Sequence, residues 1–130
     1  MRSAASLGAA VCGLGVITGA FGAHALEARL TVDALGWWET AVQYHFVHGL
    51  GLLAAGVASR QVGGPWPARA AWGFLLGLLL FCGSLYAMAL GGPRALGMIT
   101  PIGGVAWILA WGCLALGYTH RTGAVDEQGE

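Results

Sequence analysis

Trp37-Trp38-Glu39-Thr40-Ala41-Val42-Gln43-Tyr44-His45-Phe46-Val47-His48 runs directly into Gly49 to Ala58, a stretch that is almost purely apolar. A carboxylate, an amide, a phenol and two imidazoles therefore open a segment long and oily enough to cross a bilayer. Polar and ionisable groups are costly in lipid, so their presence in a span marks a candidate functional site.

The surrounding composition agrees with a lipid solvent. Of 130 residues, 57% are hydrophobic and 9% are charged, where a soluble domain carries about 25% charged residues. Lysine is absent, and every fixed cation is an arginine. Formal net charge is zero, which gives no electrostatic footprint for nucleic acid. The 23 glycines suit membrane helices that approach closely. Cys12, Cys82 and Cys113 lie on three different apolar stretches without a C-x-x-C pair. They read as small buried residues rather than a disulfide framework.

A membrane helix needs about 20 mostly apolar residues. Four segments meet this, over about 4–23, 38–59, 68–90 and 98–118. The expected fold is all-α: one transmembrane domain, an up-down four-helix bundle joined by short loops, with a short polar tail over 119–130. Pro65 and Pro67 stop the second helix, and Gly91, Gly92 and Pro93 stop the third. Arg2, the apolar run and Ala23-His24-Ala25 mimic a signal-peptide cleavage pattern, but the segment is read as a true span. The longer connection, His24 to Gly36, carries Glu27, Arg29 and Asp33, with a short amphipathic turn over Ala25–Leu30. Arg2, Arg60, Arg69 and Arg121 fall on one side, and Arg29 and Arg94 on the other. The positive-inside rule then places both termini in the cytoplasm. Asp126, Glu127 and Glu130 read as a solvated end.

This topology gives each polar residue a depth. His24 closes the first span and Glu39 opens the second on the outer side, with Gln43, Tyr44, His45 and His48 following inward at about 1.5 Å per residue. Ser84, Tyr86 and Thr100 lie near that same end of the third and fourth spans. The expected site therefore occupies the outer half. At about 100° per residue, Glu39 and Gln43 share one face of the helix. Tyr44 and His48 share nearly the opposite one, with His45 beside them. Two polar edges require a helix that is central or that contacts a partner.

His45-x-x-His48 has metal-ligand spacing, with His24 available to complete a set. The competing reading is a pair of imidazoles hydrogen-bonded between helices. Glu39 reads either as a proton-carrying group or as an interfacial anchor paired with Arg94 or Arg29. Gly15-x-x-x-Gly19 with Gly8, Gly13 and Gly22 reads as a packing face, as do Gly103 and Gly104 after Thr100-Pro101. Trp66 and Trp72 fit an inner aromatic belt, and Trp107 and Trp111 an i, i+4 packing pair. The sequence carries no nucleophile with base and acid, and its glycine-rich stretches lie inside spans, which excludes a dinucleotide fingerprint.

Four motifs carry a family resemblance. They are Gly19-Ala20-Phe21-Gly22-Ala23-His24-Ala25-Leu26, then Trp38 to His48, then Phe81-Cys82-Gly83-Ser84-Leu85-Tyr86, and Thr100-Pro101-Ile102-Gly103-Gly104. In this order, across about Gly8 to Tyr118, the chain resembles the YgdD-like family of small bacterial inner-membrane proteins. The resemblance implies a multi-pass inner-membrane protein with four spans, and it implies no activity and no cofactor. Two readings stay open. One is a non-enzymatic accessory or scaffold subunit beside other membrane chains, of a respiratory or photosynthetic complex for example, or self-associating. The other is a binding or transport protein whose His/Glu/Tyr pocket takes a metal, haem, quinone or proton. An intramembrane enzyme working through Glu39 or a histidine is the weakest, since no residue pattern suggests a reaction. The partner common to all three is the lipid bilayer.

Overall fold

The computed structural model describes the backbone of residues 2–126 and the side chains of residues 4–120. The side chains of Arg2, Arg121 and Asp126, and the whole of Glu127 and Glu130, lie outside the described residues. Helices α1 (Arg2–Phe21), α2 (Val32–Gln61), α3 (Trp66–Gly77), α4 (Gly83–Ala89) and α5 (Thr100–Asp126) follow in chain order. No strand occurs among the described residues. Four stretches are long and apolar enough to cross a membrane: Ala4–Leu26, Val32–Gln61, Trp66–Ala89 and Arg94–His120.

Contacts at both ends of each pair fix the antiparallel order. Gly8 near the start of α1 meets Leu53 late in α2, and Gly22 meets Trp38 early in it. Phe74 lies on Gly51, while Cys82 reaches Ala41. Gly103 packs on Phe81, and Gly117 packs on Trp66 and Pro67. Helix α2 and the α3–α4 span form the centre, where Ala41, Leu52, Ala55, Ala70 and Phe74 are fully enclosed. The flanks are α1, held mainly by α2, and α5, held mainly by the α3–α4 span.

The elements depart from a plain four-rod picture at three places. First, α2 begins at Val32, six residues before Trp38. Thr31 caps it by accepting from the Ala34 N–H at 3.3 Å, and Asp33 complements the positive end of the helix dipole. At 30 residues the helix is about 45 Å long, more than the ~30 Å hydrocarbon core. Its outer turns therefore reach headgroup depth. Second, the third span is interrupted by a π-helical turn, Leu78–Cys82, where the Gly83 N–H bonds the Leu78 carbonyl. A similar turn, Gly22–Leu26, ends the first span, with the Glu27 N–H on the Gly22 carbonyl at 3.1 Å. Third, a 3₁₀ turn over Arg94–Met98 lies inside the 90–99 connection, and α5 continues through to Asp126. Gly91, at φ +98°, lets α4 finish. Its N–H bonds Met88 and the Gly92 N–H bonds Ala87, at 3.1 and 2.8 Å, a closure that a left-handed glycine makes without strain.

Glycine decides how close α1 comes to α2. A Cβ on Gly56 would stand 2.6 Å from the Ala5 Cα, and one on Gly8 would stand 2.6 Å from the Leu53 Cα. Both obstacles are backbone and cannot swing aside. Gly15 and Gly19 face the same helix but meet side chains, Phe46 at 3.4 Å and Val42 at 3.3 Å. Gly13 has open space. Gly8→Ala and Gly56→Ala should therefore each cost about 1–3 kcal/mol through overpacking, whereas Gly13→Ala should stay within about 0.5 kcal/mol. Unfolding of the three variants in one detergent, followed by circular dichroism, checks the contrast.

Candidate functional site

Helix α2 distributes its polar side chains to three neighbours. Glu39 and Gln43 point to the surface, where with Gly19, Gly22 and Trp38 they line a shallow cleft of about 220 Å³. His45 turns toward α1 and α4. Tyr44 and His48 turn toward α5. Of the two edges expected from the wheel, the Tyr44–His48 edge with His45 beside it turns to neighbouring helices, while the Glu39–Gln43 edge stays exposed.

His45 is enclosed in a hydrogen-bonded network that joins three helices. Its Nε2 lies 2.9 Å from the Val11 carbonyl and its Nδ1 lies 3.1 Å from the Tyr86 hydroxyl. A carbonyl only accepts, so Nε2 carries the hydrogen, and Nδ1 then accepts from Tyr86. The Tyr86 oxygen stands 3.2 Å from the Thr18 hydroxyl, whose one hydrogen is shared between it and the Gly15 carbonyl at 3.1 Å. The Trp38 indole N–H donates to the Thr18 carbonyl at 2.9 Å, and its ring packs on Tyr86 at 4.6 Å between centroids. A second, smaller link closes the other flank. Thr100 donates to the Ser84 oxygen at 2.6 Å, and Ser84 donates to the Phe81 carbonyl at 2.9 Å.

His48 has a different environment. Its Nδ1 donates to the Tyr44 carbonyl at 2.8 Å. Its ring stacks on Trp107 with centroids 3.5 Å apart and planes 4° from parallel. The Trp107 N–H is itself used, on the Phe74 carbonyl at 3.2 Å. Tyr44 lies parallel to both rings, 5.8 Å from His48 and 5.7 Å from Trp107. Tyr44, His48, Trp107, Phe81 and Trp111 are among the walls of a cleft of about 390 Å³ on the outward surface between α2, the third span and α5. His48 lies near the middle of α2.

The metal set His45, His48 and His24 does not come together. The two α2 imidazoles face different helices, and His24 is exposed in the π-helical turn that ends the first span. Among the described residues no group of three or more His, Cys, Asp or Glu is placed to hold a metal ion. Arg94 lies over Trp37, 5.8 Å from the ring, and joins Arg29 around a cleft of about 530 Å³ at the end of the bundle away from the termini. At the opposite end Arg69 lies 5.0 Å over Trp66, which stacks on His120. Gly22 and Gly103 make close approaches, under Trp38 and against the Phe81 backbone, while Gly104 has Phe81 at 4.0 Å. Thr18 and Trp107 are the two contributors that their sequence positions least announce. The signals for them are a hydroxyl inside the first span and an indole one turn from Trp111.

Four antiparallel apolar helices, with their buried polar groups bonded to one another, define a multi-pass helical membrane protein. The comparisons carry this to a family. The family model described as "Protein of unknown function (DUF423)" matches residues 18–104. The chain is 45% identical over 113 residues to UPF0382 membrane protein SSP2132 of Staphylococcus saprophyticus, covering 85% of this chain and 92% of that one. It is 44% identical over 106 residues to UPF0382 membrane protein YwdK of Bacillus subtilis, covering 81% and 86%. It is 36% identical over 102 residues to UPF0382 inner membrane protein YgdD of Escherichia coli, covering 78% of each. No solved structure matches. The chain belongs to the DUF423 family of membrane proteins, the group its motifs resemble.

The His45 network predicts a measurable coupling. Tyr86→Phe removes the donor to Nδ1 and should cost about 0.6–2 kcal/mol, the range of interhelical hydrogen bonds in membranes. Thr18→Val touches the same chain of bonds, so the double variant should be less destabilised than the sum. A double-mutant cycle on unfolding in mixed micelles measures this, and strict additivity would mean the two groups act separately.

Proposed function

We propose that this protein is a non-enzymatic accessory or scaffold subunit that lodges beside other membrane chains, with both termini in the cytoplasm. The observation that carries the reading is how little of the flanking helices the chain covers itself. In the most apolar 18 residues of each span, 17% are buried in the first and 22% in the last, against 50% in the second. Gly13 on α1 and Gly112 on α5 are exposed with no atom near where a Cβ would sit. Small residues are enriched where membrane helices pack, so these faces suit a neighbouring helix. The polar groups of the His45 and Ser84 links are meanwhile bonded internally, which is how a structural element uses them. The orientation rests on Arg2, Arg60, Arg69 and Arg121 at the terminal side of the sequence against Arg29 and Arg94 opposite.

Isolation in a mild detergent, with identification of every co-migrating chain, tests the role. Stoichiometric migration with another membrane protein or with a second copy is expected. Gly13→Leu and Gly112→Leu should weaken that association without shifting the unfolding midpoint. Migration as a lone 13.3 kDa chain at every stage overturns the reading. For orientation, a C-terminal fluorescent-protein fusion should glow and a C-terminal alkaline phosphatase fusion should stay inactive; the reverse pair places the termini outside.

A further inference from the structure

We infer that the cleft at His48 is a binding site for a lipid-soluble hydroquinone, whose hydroxyl donates to the free Nε2 of that imidazole. The inference is independent of the scaffold reading and starts from one atom. His48 is 6% exposed, and its Nδ1–H is fixed on the Tyr44 carbonyl. A second proton would put a charge at mid-bilayer depth, where it needs an anionic partner. Glu39 lies at the surface about two and a half turns away toward the outer end, so the ring is neutral and Nε2 is a lone pair. No fully enclosed side-chain nitrogen or oxygen among the described residues lacks a hydrogen-bond partner. Nε2 has none within the protein, so it opens outward, and the opening His48 lines is the aromatic cleft.

The walls say what kind of donor fits. The Tyr44, His48 and Trp107 rings are parallel within 7°, a flat stack against which another planar ring packs well. Phe81 and Trp111 extend the apolar surface. Tyr44 is 40% exposed and brings a phenol to the same cleft. A volume of about 390 Å³ lies within the usual ~300–1,000 Å³ range of small-molecule sites. The cleft thus offers one acceptor, one phenol and a planar apolar surface, on a face reached from within the bilayer. A hydroquinone ring on an isoprenoid or alkyl tail supplies the matching O–H, plane and lipid solubility. The oxidised ring has no hydrogen to give Nε2, so the site should favour the reduced form.

The test uses the full chain in lipid nanodiscs, with decylubiquinol and decylubiquinone as probes and dodecane as the tail control. Decylubiquinol should bind about tenfold tighter than decylubiquinone, the value of one well-made hydrogen bond to a buried acceptor. His48→Phe keeps a flat ring and removes the acceptor; it should erase that preference. On the unaltered protein labelled with ¹⁵N-histidine, decylubiquinol should move the Nε2 resonance of His48 and leave His45 still. Equal binding of both ring forms, or displacement by dodecane at equal concentration, reduces the cleft to a groove for lipid tails and overturns the inference. An unmoved His48 resonance at saturating decylubiquinol does the same without any variant. Haemin binding that shifts the Soret band through His48, with no decylubiquinol binding, would replace the hydroquinone by a metal macrocycle.

Discussion

Inside a bilayer no water can satisfy a stray donor or acceptor, so each polar side chain carried into the apolar region must be matched by another part of the protein. Helix α2 carries most of them here, and this fixes its place. Its His45 edge requires α1 and α4; its Tyr44–His48 edge requires α5. A helix with buried polar groups on adjacent sides that meet different partners can stand only between those partners. The central position of α2, the flanking positions of α1 and α5, and the burial of Trp38 and Trp107 all follow from that demand.

Close packing supplies the rest. Lipid is as apolar as leucine, so apolar burial alone does not bring membrane helices together, and dispersion between touching backbones has to do so. Gly8 and Gly56 bring α1 onto α2 near the terminal side, and Gly103 brings α5 onto Phe81 near the opposite side. Large rings fill the wider gaps between those contacts, with Trp38 over Gly22 and Trp107 over Gly77. Glycine and tryptophan are thus two halves of one packing device, which explains why a chain with 23 glycines also carries six tryptophans.

Much of this was legible in the order of residues. Spans declare themselves by length and hydropathy, and helical periodicity separates the Glu39 edge from the His48 edge. The pairing of His45 with Tyr86 was not legible, because 41 residues and a chain reversal separate them and periodicity carries no information across a loop. The early start of α2 was written in Thr31 and Asp33, but the charged residues nearby mask it when hydropathy alone sets the boundary. The separation of His45 from His48 shows the limit of spacing rules. An i, i+3 pair lies on adjacent sides of a helix, and at this radius adjacent sides meet different partners. Gly15 and Gly19 have the spacing of a close backbone crossing, yet Phe46 and Val42 occupy that face; the crossing itself falls about two turns before Gly15 and three before Gly19, at Gly8.

The π-helical turn over Leu78–Cys82 has a consequence for how the chain can vary. Such a turn holds one residue more than an α-helix of the same reach. Everything beyond it is turned by about 100° relative to an uninterrupted helix. Ser84, Tyr86 and Met88 meet their partners only because that extra residue is there. Deleting any one residue from the turn would leave a smoother and equally apolar span, indistinguishable by hydropathy from the original. Yet it would rotate Tyr86 away from His45 and Ser84 away from Thr100. In the third span, then, residue count is a constraint separate from residue identity, and loss of one leucine there would be felt more than exchange of several.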